Sequence, residues 1–168
     1  MNPLPHPLSN GPVVGWRLDE LKHAATWDTG EGAFKVGGRW NSKGIRAVYA
    51  SLDPATSIVE VAVHKGFNAL DTVPHVLTSF EVIDHRSIHV VMPAAVPNRN
   101  WLVPGTPSAG QQNFGDALLA KHLFVAIPSA VSSFSWNLIF DADRADSHYK
   151  LLAQTPFALD TRLNSPRR

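Results

Sequence analysis

The apolar positions of this chain fall into short runs broken by glycine and proline, and their spacing switches between strand-like alternation and helical stripes. Val13 to Leu18 predicts a strand, and Asp19 to Ala25 a short helix. Thr26 to Asn41 carries Gly30, Gly32, Gly37 and Gly38 and reads as loop, with room for one hairpin. Ala47 to Ala50, beside Gly44, predicts a second strand. The clearest signal follows at Asp53-Pro54. The aspartate can accept the unpaired N–H groups of a first helical turn, and proline has its φ preset for that turn. The helix is expected from Pro54 to Lys65, ending at Gly66, although Ile58, Val59, Val61 and Val63 are residue types that also suit strands.

His75 to Ile83 predicts a strand with Val76, Phe80 and Val82 on one side, and Ser87 to Met92 another. Pro93 to Pro107 holds four prolines and reads as a long loop. Ser108 to His122 predicts a helix with Leu118, Leu119 and His122 near one stripe. Leu123 to Ile127 and Trp136 to Phe140 predict buried strands. Asp141 to Gln154 is polar and reads as helical, and Thr155 to Leu163 as a last strand closing the sheet. Residues 1–12 are expected to form a proline-rich flexible leader, 13–163 one domain, and 164–168 a flexible tail. The alternation is too irregular for a doubly wound sheet. The expected class is α+β, a mixed β core with flanking helices.

Composition narrows the function. The 168 residues suit one domain, and 44% apolar residues suffice for a core. Fifteen Lys and Arg against 14 Asp and Glu leave a net charge of +1, which argues against direct nucleic-acid binding. With no cysteine, disulfides, thiol nucleophiles and thiolate metal sites are excluded. The first residues lack the apolar run of a signal peptide, and no stretch approaches the ~18 apolar residues of a membrane span, so a cytoplasmic protein without membrane contact is expected.

Standard cofactor and nucleophile signatures are missing: GxGxxG, GxxxxGK[ST], HExxH and GxSxG do not occur, and the eight histidines suggest no metal site. Glu60 is the most informative residue. It interrupts an apolar run on the predicted helix, so its carboxylate must be paired, protonated or turned to a cleft. Its helical neighbours Thr56, Ser57, Val63 and His64 form a partly polar face. A structural ion pair and a functional carboxylate are equally open readings. Gly37-Gly38-Arg39-Trp40-Asn41 pairs glycines that permit close backbone approach with a guanidinium suited to phosphate or carboxylate; a glycine turn with a packing tryptophan is the simpler alternative. Arg17 and Tyr49 lie on predicted strands. Ser129, in Pro128-Ser-Ala130, follows a predicted buried strand, with Ser133, Ser135 and Asn137 nearby.

In their order and spacing these segments resemble the RES domain family. They are Arg17, the GGRWN stretch at 37–41, Val48-Tyr49-Ala50-Ser51, Glu60 in Ile-Val-Glu-Val-Ala-Val-His64, Pro128-Ser129-Ala130-Val131, Asn137-Leu-Ile, and Pro156-Phe157 through Asp160-Thr-Arg162-Leu163. The resemblance spans Val14 to Leu163. It implies an ADP-ribosyltransferase-like fold and the toxin half of a toxin–antitoxin pair, with an Xre-type helix-turn-helix antitoxin as partner. It further implies NAD+ as a substrate cleaved at the nicotinamide–ribose bond, with no resident cofactor or metal. ADP-ribosyl transfer to a protein is the alternative activity, and a catalytically inactive binding partner the alternative of another class. Carried over residue by residue, Glu60, Arg39 and Ser129 would be catalytic, and Arg17, Arg39, Trp40, Asn41, Tyr49 and Ser129 would bind NAD+. Ser133 is the other candidate for the serine, and Ser129 is preferred for its Pro-Ser-Ala-Val context.

Overall fold

The computed structural model describes residues 11–166; residues 1–10 of the expected leader and 167–168 of the expected tail lie outside the described residues. Seven strands form one sheet in the order β4-β5-β6-β2-β1-β3-β7. They are β1 (Val14–Glu20), β2 (Ala47–Ser51), β3 (His75–Val82), β4 (Ile88–Val90), β5 (Phe124–Pro128), β6 (Trp136–Asp141) and β7 (Tyr149–Phe157). Only β4 and β5 pair in parallel. The helices are α1 (Glu31–Val36), α2 (Pro54–Lys65), α3 (Phe67–Thr72), α4 (Ala109–Lys121) and α5 (Ala142–Ala145). The class is α+β, as the patterning predicts. Among the described residues, no helix is long and apolar enough to cross a membrane.

Strand alternation sorts the core into two sides. Val48 and Ala50, Phe124 and Ala126, and Leu138 and Phe140 pack with Trp27, Phe80 and Val82 on one face. Their neighbours Ala47, Val125, Ile127 and Ile139 pack with Trp40 and Leu119 on the other, under α4. A third cluster, Leu18, Ala62, Leu70 and Leu159, seats α2 and α3.

The sheet is split in its middle. β1 pairs with β3 over seven residue pairs and β2 with β6 over five, but β1 meets β2 at one pair, Trp16 and Ser51. Beyond that pair the two strands part, and the gap between them becomes the floor of a cleft that α2 overhangs.

The predicted helix over 54–65 forms within those bounds. Asp53 Oδ1 accepts from the Thr56 N–H at 2.8 Å, Oδ2 accepts from the Thr56 hydroxyl at 2.6 Å, and Gly66 ends the helix at φ +81°. α4 begins as expected after Ser108, whose hydroxyl accepts from the Gln111 N–H. Five features differ from the expectations. The strand from Val14 continues to Glu20, so a 3₁₀ segment over Leu21–Thr26 replaces the helix expected from Asp19. The glycine-rich segment from Thr26 contains α1, held by Glu31 bonded to Lys35 and Arg46. A further short helix, α3, follows Gly66. The polar stretch from Asp141 makes only the one turn of α5; Ser147 turns the chain at φ +67°, and β7 then runs alongside β3 to Phe157. β7 residues Lys150 to Pro156 are all exposed, so ladder bonding to β3, and no apolar alternation, makes this segment a strand. The strand expected to reach Leu163 ends there too, and Thr161–Asn164 is a 3₁₀ turn capped by Asp160.

Candidate active site

The cleft has a volume of about 580 Å³, inside the ~300–1,000 Å³ range of small-molecule sites. Arg17 comes from β1, Tyr49 from β2, Arg39 from the glycine turn, Glu60 from α2, and Asn137 from β6.

Glu60 faces this cleft half-buried, with no ion-pair partner among the described residues. Its Oε1 accepts two neutral hydrogen bonds, from the Ser129 hydroxyl and from Asn137 Nδ2, each at 2.8 Å. Ser129 is itself locked, since its Oγ accepts from the N–H groups of Val131 and Ser132 at 3.2 and 3.3 Å. Asn137 Oδ1 accepts from the Ser51 hydroxyl at 3.2 Å. With one oxygen fixed by buried groups and no cation opposing it, the carboxylate keeps a set orientation and a negative charge to offer the cleft.

The structure brings Ser129, and not Ser133, to Glu60. Ser129 is 2% exposed and bonded to Glu60, whereas Ser133 is exposed on the loop surface. Ser129 reaches the site through Glu60 and is not itself a lining residue of the cleft. Asn137 is the partner that the sequence offers only as one of several polar neighbours. The available signal is a buried amide inside the otherwise apolar run Trp136–Phe140, which obliges a hydrogen-bond partner.

The Gly37–Asn41 turn is braced from behind. Gly37 takes φ +78°, and a Cβ on Gly38 would strike the Tyr49 hydroxyl. On α4, Gly115 packs so tightly against the Trp40 backbone that any side chain there would overlap it. Gln112 Nε2 donates to the Gly38 carbonyl at 2.9 Å, and Asp116 accepts from the N–H and the hydroxyl of Ser42.

This bracing leaves Trp40 in the cleft lining but takes Asn41 out of it, unlike the expectation that both touch substrate. Trp40 is 1% exposed and packs edge-on against Phe114. Asn41 is wholly buried; its Nδ2 donates to the carbonyls of Ala33, Ser42 and Ile45, and its Oδ1 accepts from the Tyr49 hydroxyl at 2.7 Å. Asn41 is scaffold beneath the turn, and Trp40 braces the turn while still lining the cleft. The Tyr49 hydroxyl also accepts from the Trp40 N–H at 2.9 Å, and burial pushes its pKa above the ordinary phenol value. It stays a neutral donor, and Tyr49 is at the same time one of the residues lining the cleft.

The two arginines differ. Arg17 Nε and Nη2 form a paired contact with Asp19, both at 3.0 Å, and Nη1 donates to the Tyr49 carbonyl at 2.7 Å. Arg39 Nη1 donates to the carbonyls of Trp101 and Val103, both at 3.2 Å. Carbonyls carry no net charge, so Arg39 keeps its positive charge for the cleft while Arg17 is largely neutralised by Asp19. Among the described residues, no group of three or more His, Asp or Glu is arranged to hold a metal ion.

The family profile described as the RES domain matches residues 14–160. A protein named Toxin Res from Photorhabdus laumondii subsp. laumondii is 27% identical over 155 residues, covering 90% of this chain and 97% of that one. Another Toxin Res, from Yersinia enterocolitica, is 30% identical over 148 residues, covering 83% and 91%. The fold is similar to a chain in the crystal structure of the M.tuberculosis MbcT–MbcA toxin–antitoxin complex, with a TM-score of 0.70 and 21% identity over 88% of this chain and 85% of that one. The fold, the order of the cleft residues and the profile match agree, and the chain belongs to the RES domain family.

Proposed function

We propose that this protein is the toxin of a toxin–antitoxin pair and that it consumes NAD+ as a substrate by breaking the nicotinamide–ribose bond. The toxin reading is supported by the relatives named Toxin Res and by the neighbour's toxin–antitoxin complex. The partner would be a cognate antitoxin of the Xre helix-turn-helix type, and the setting the cytoplasm, where the NAD+ pool lies.

The observation that carries the reaction is Glu60, a carboxylate fixed through one oxygen by two neutral donors in the wall of an open cleft. Nicotinamide leaves NAD+ as a neutral molecule from a cationic ring, so departure needs no general acid. The ribose left behind becomes oxocarbenium-like, as in glycoside hydrolysis, and its C1′ then forms a bond to an acceptor oxygen or nitrogen, from water, phosphate or a protein side chain. A preorganised negative charge beside it stabilises that cation, an effect commonly worth several kcal/mol in a water-poor site. Arg39 would hold the pyrophosphate, and the Tyr49 ring would stack on a base. In this reading Ser129 and Asn137 are positioning residues.

The test is to incubate the purified protein with labelled NAD+, alone, with inorganic phosphate, and with cell lysate, and to follow nicotinamide release. Release is expected. Label retained on a lysate protein would assign ADP-ribosyl transfer, and NAD+ left intact under all three conditions would overturn the proposal.

A further inference from the structure

We infer that His64 is a substrate-binding residue of the cleft, contacting the anionic pyrophosphate of the dinucleotide; this deepens the NAD+ reading and rests on it. Four basic side chains line the cleft: Arg17, Arg39, His64 and Lys65. Two of them already have carboxylate partners. Arg17 is paired with Asp19, and Lys65 Nζ lies 2.8 Å from Glu20 Oε1. Arg39 is tied only to neutral carbonyls. His64 is exposed, and its ring makes no hydrogen bond or ion pair with the described residues.

Its position is set by the helix that carries Glu60. His64 follows Glu60 by four residues, so the two side chains leave α2 on one face a turn apart. A ligand whose ribose lies beside Glu60 and whose chain runs along α2 toward its C-terminal end would bring its nearest phosphate to His64. An imidazole has at least one N–H to give a phosphate oxygen, whether neutral or protonated. The carbonyl end of the helix also suits basic side chains in its last turn. His64 and Arg39 would then hold the diphosphate between them.

The test titrates ADP-ribose, and adenosine as a ligand without phosphate, into the unaltered protein, His64→Ala and His64→Lys, beside NAD+ turnover. His64→Ala is expected to weaken ADP-ribose and raise KM for NAD+ by about tenfold, with kcat within about twofold and adenosine binding unchanged. His64→Lys should restore most of the loss. Equal affinity of His64→Ala and the unaltered protein for ADP-ribose, or an equal loss for adenosine, overturns the inference. If ADP-ribose binds in a His64-dependent way but no nicotinamide is released, the inference stands and the proposed reaction fails. If nicotinamide is released with a KM indifferent to His64, only the inference fails. An unaltered protein that neither binds ADP-ribose nor turns over NAD+ overturns both.

Discussion

Arg17 Nη1 donates to the carbonyl oxygen of Tyr49 at 2.7 Å, across the gap where β1 leaves β2. The bond links the two strands beyond Trp16 and Ser51, their single ladder pair. Its own charge is balanced by Asp19 two residues along the same strand, one pleat away on the same side. Arg17 thus holds the mouth of the split sheet at a fixed width.

Arg17→Lys should therefore disturb the cleft although it keeps the charge, because an ammonium cannot reproduce the fork that meets Asp19 and the Tyr49 carbonyl together. A loss of about 10- to 100-fold in NAD+ turnover is expected, with a modest fall in Tm. Steady-state kinetics beside thermal unfolding checks this, and a fully active Arg17→Lys protein would rule out the bridging role.

Ser129→Ala and Asn137→Ala each remove one of the two bonds to Glu60 Oε1. Each should lower kcat by about 10- to 100-fold through loss of orientation, with KM less affected. Ser133→Ala is the internal control and should be silent, since Ser133 is exposed on the loop surface.

Tyr49→Phe keeps the ring in the cleft but strips the partner from the Trp40 N–H and from Asn41 Oδ1. Leaving those groups unsatisfied should cost about 1–3 kcal/mol of stability. Asn41→Ala, which abandons three half-buried carbonyls as well, should cost at least as much. Denaturant unfolding measures both.

How much of this was legible beforehand depended on whether the signal was local. The Asp53-Pro54 start and Gly66 stop of α2 could be read directly, because capping uses neighbours in sequence. The order of the cleft segments from Arg17 to Ser129 was readable as well. The roles of Trp40 and Asn41 were not, because what buries them is α4 and the Tyr49 hydroxyl, both distant in sequence. The same holds for β7, which is a strand only because β3 pairs with it. The parting of β1 from β2, on which the cleft depends, leaves no mark in either strand's own residues.

Acid stability should carry the signature of Glu20. Lys22 and Lys65, both bonded to its carboxylate, lower its pKa from 4.5 to about 2. A carboxyl depressed in the folded state stabilises the fold above its unfolded pKa, and that contribution is lost as pH falls from 4.5 toward about 2. The pair is partly solvated, so the contribution is expected to be at most about 1 kcal/mol. Glu20→Gln should flatten stability across that window, measured by unfolding at stepped pH, and leave stability near neutrality only slightly lower.

The Glu60 charge, held by Ser129 and Asn137, is what would make the cleft reactive. Nicotinamide release from NAD+ by Glu60→Gln tests it most directly, because the substitution keeps the shape and removes the charge. A loss of at least about 100-fold with an unchanged melting temperature is expected; a folded Glu60→Gln protein that releases nicotinamide at the unaltered rate would show that the charge is not needed.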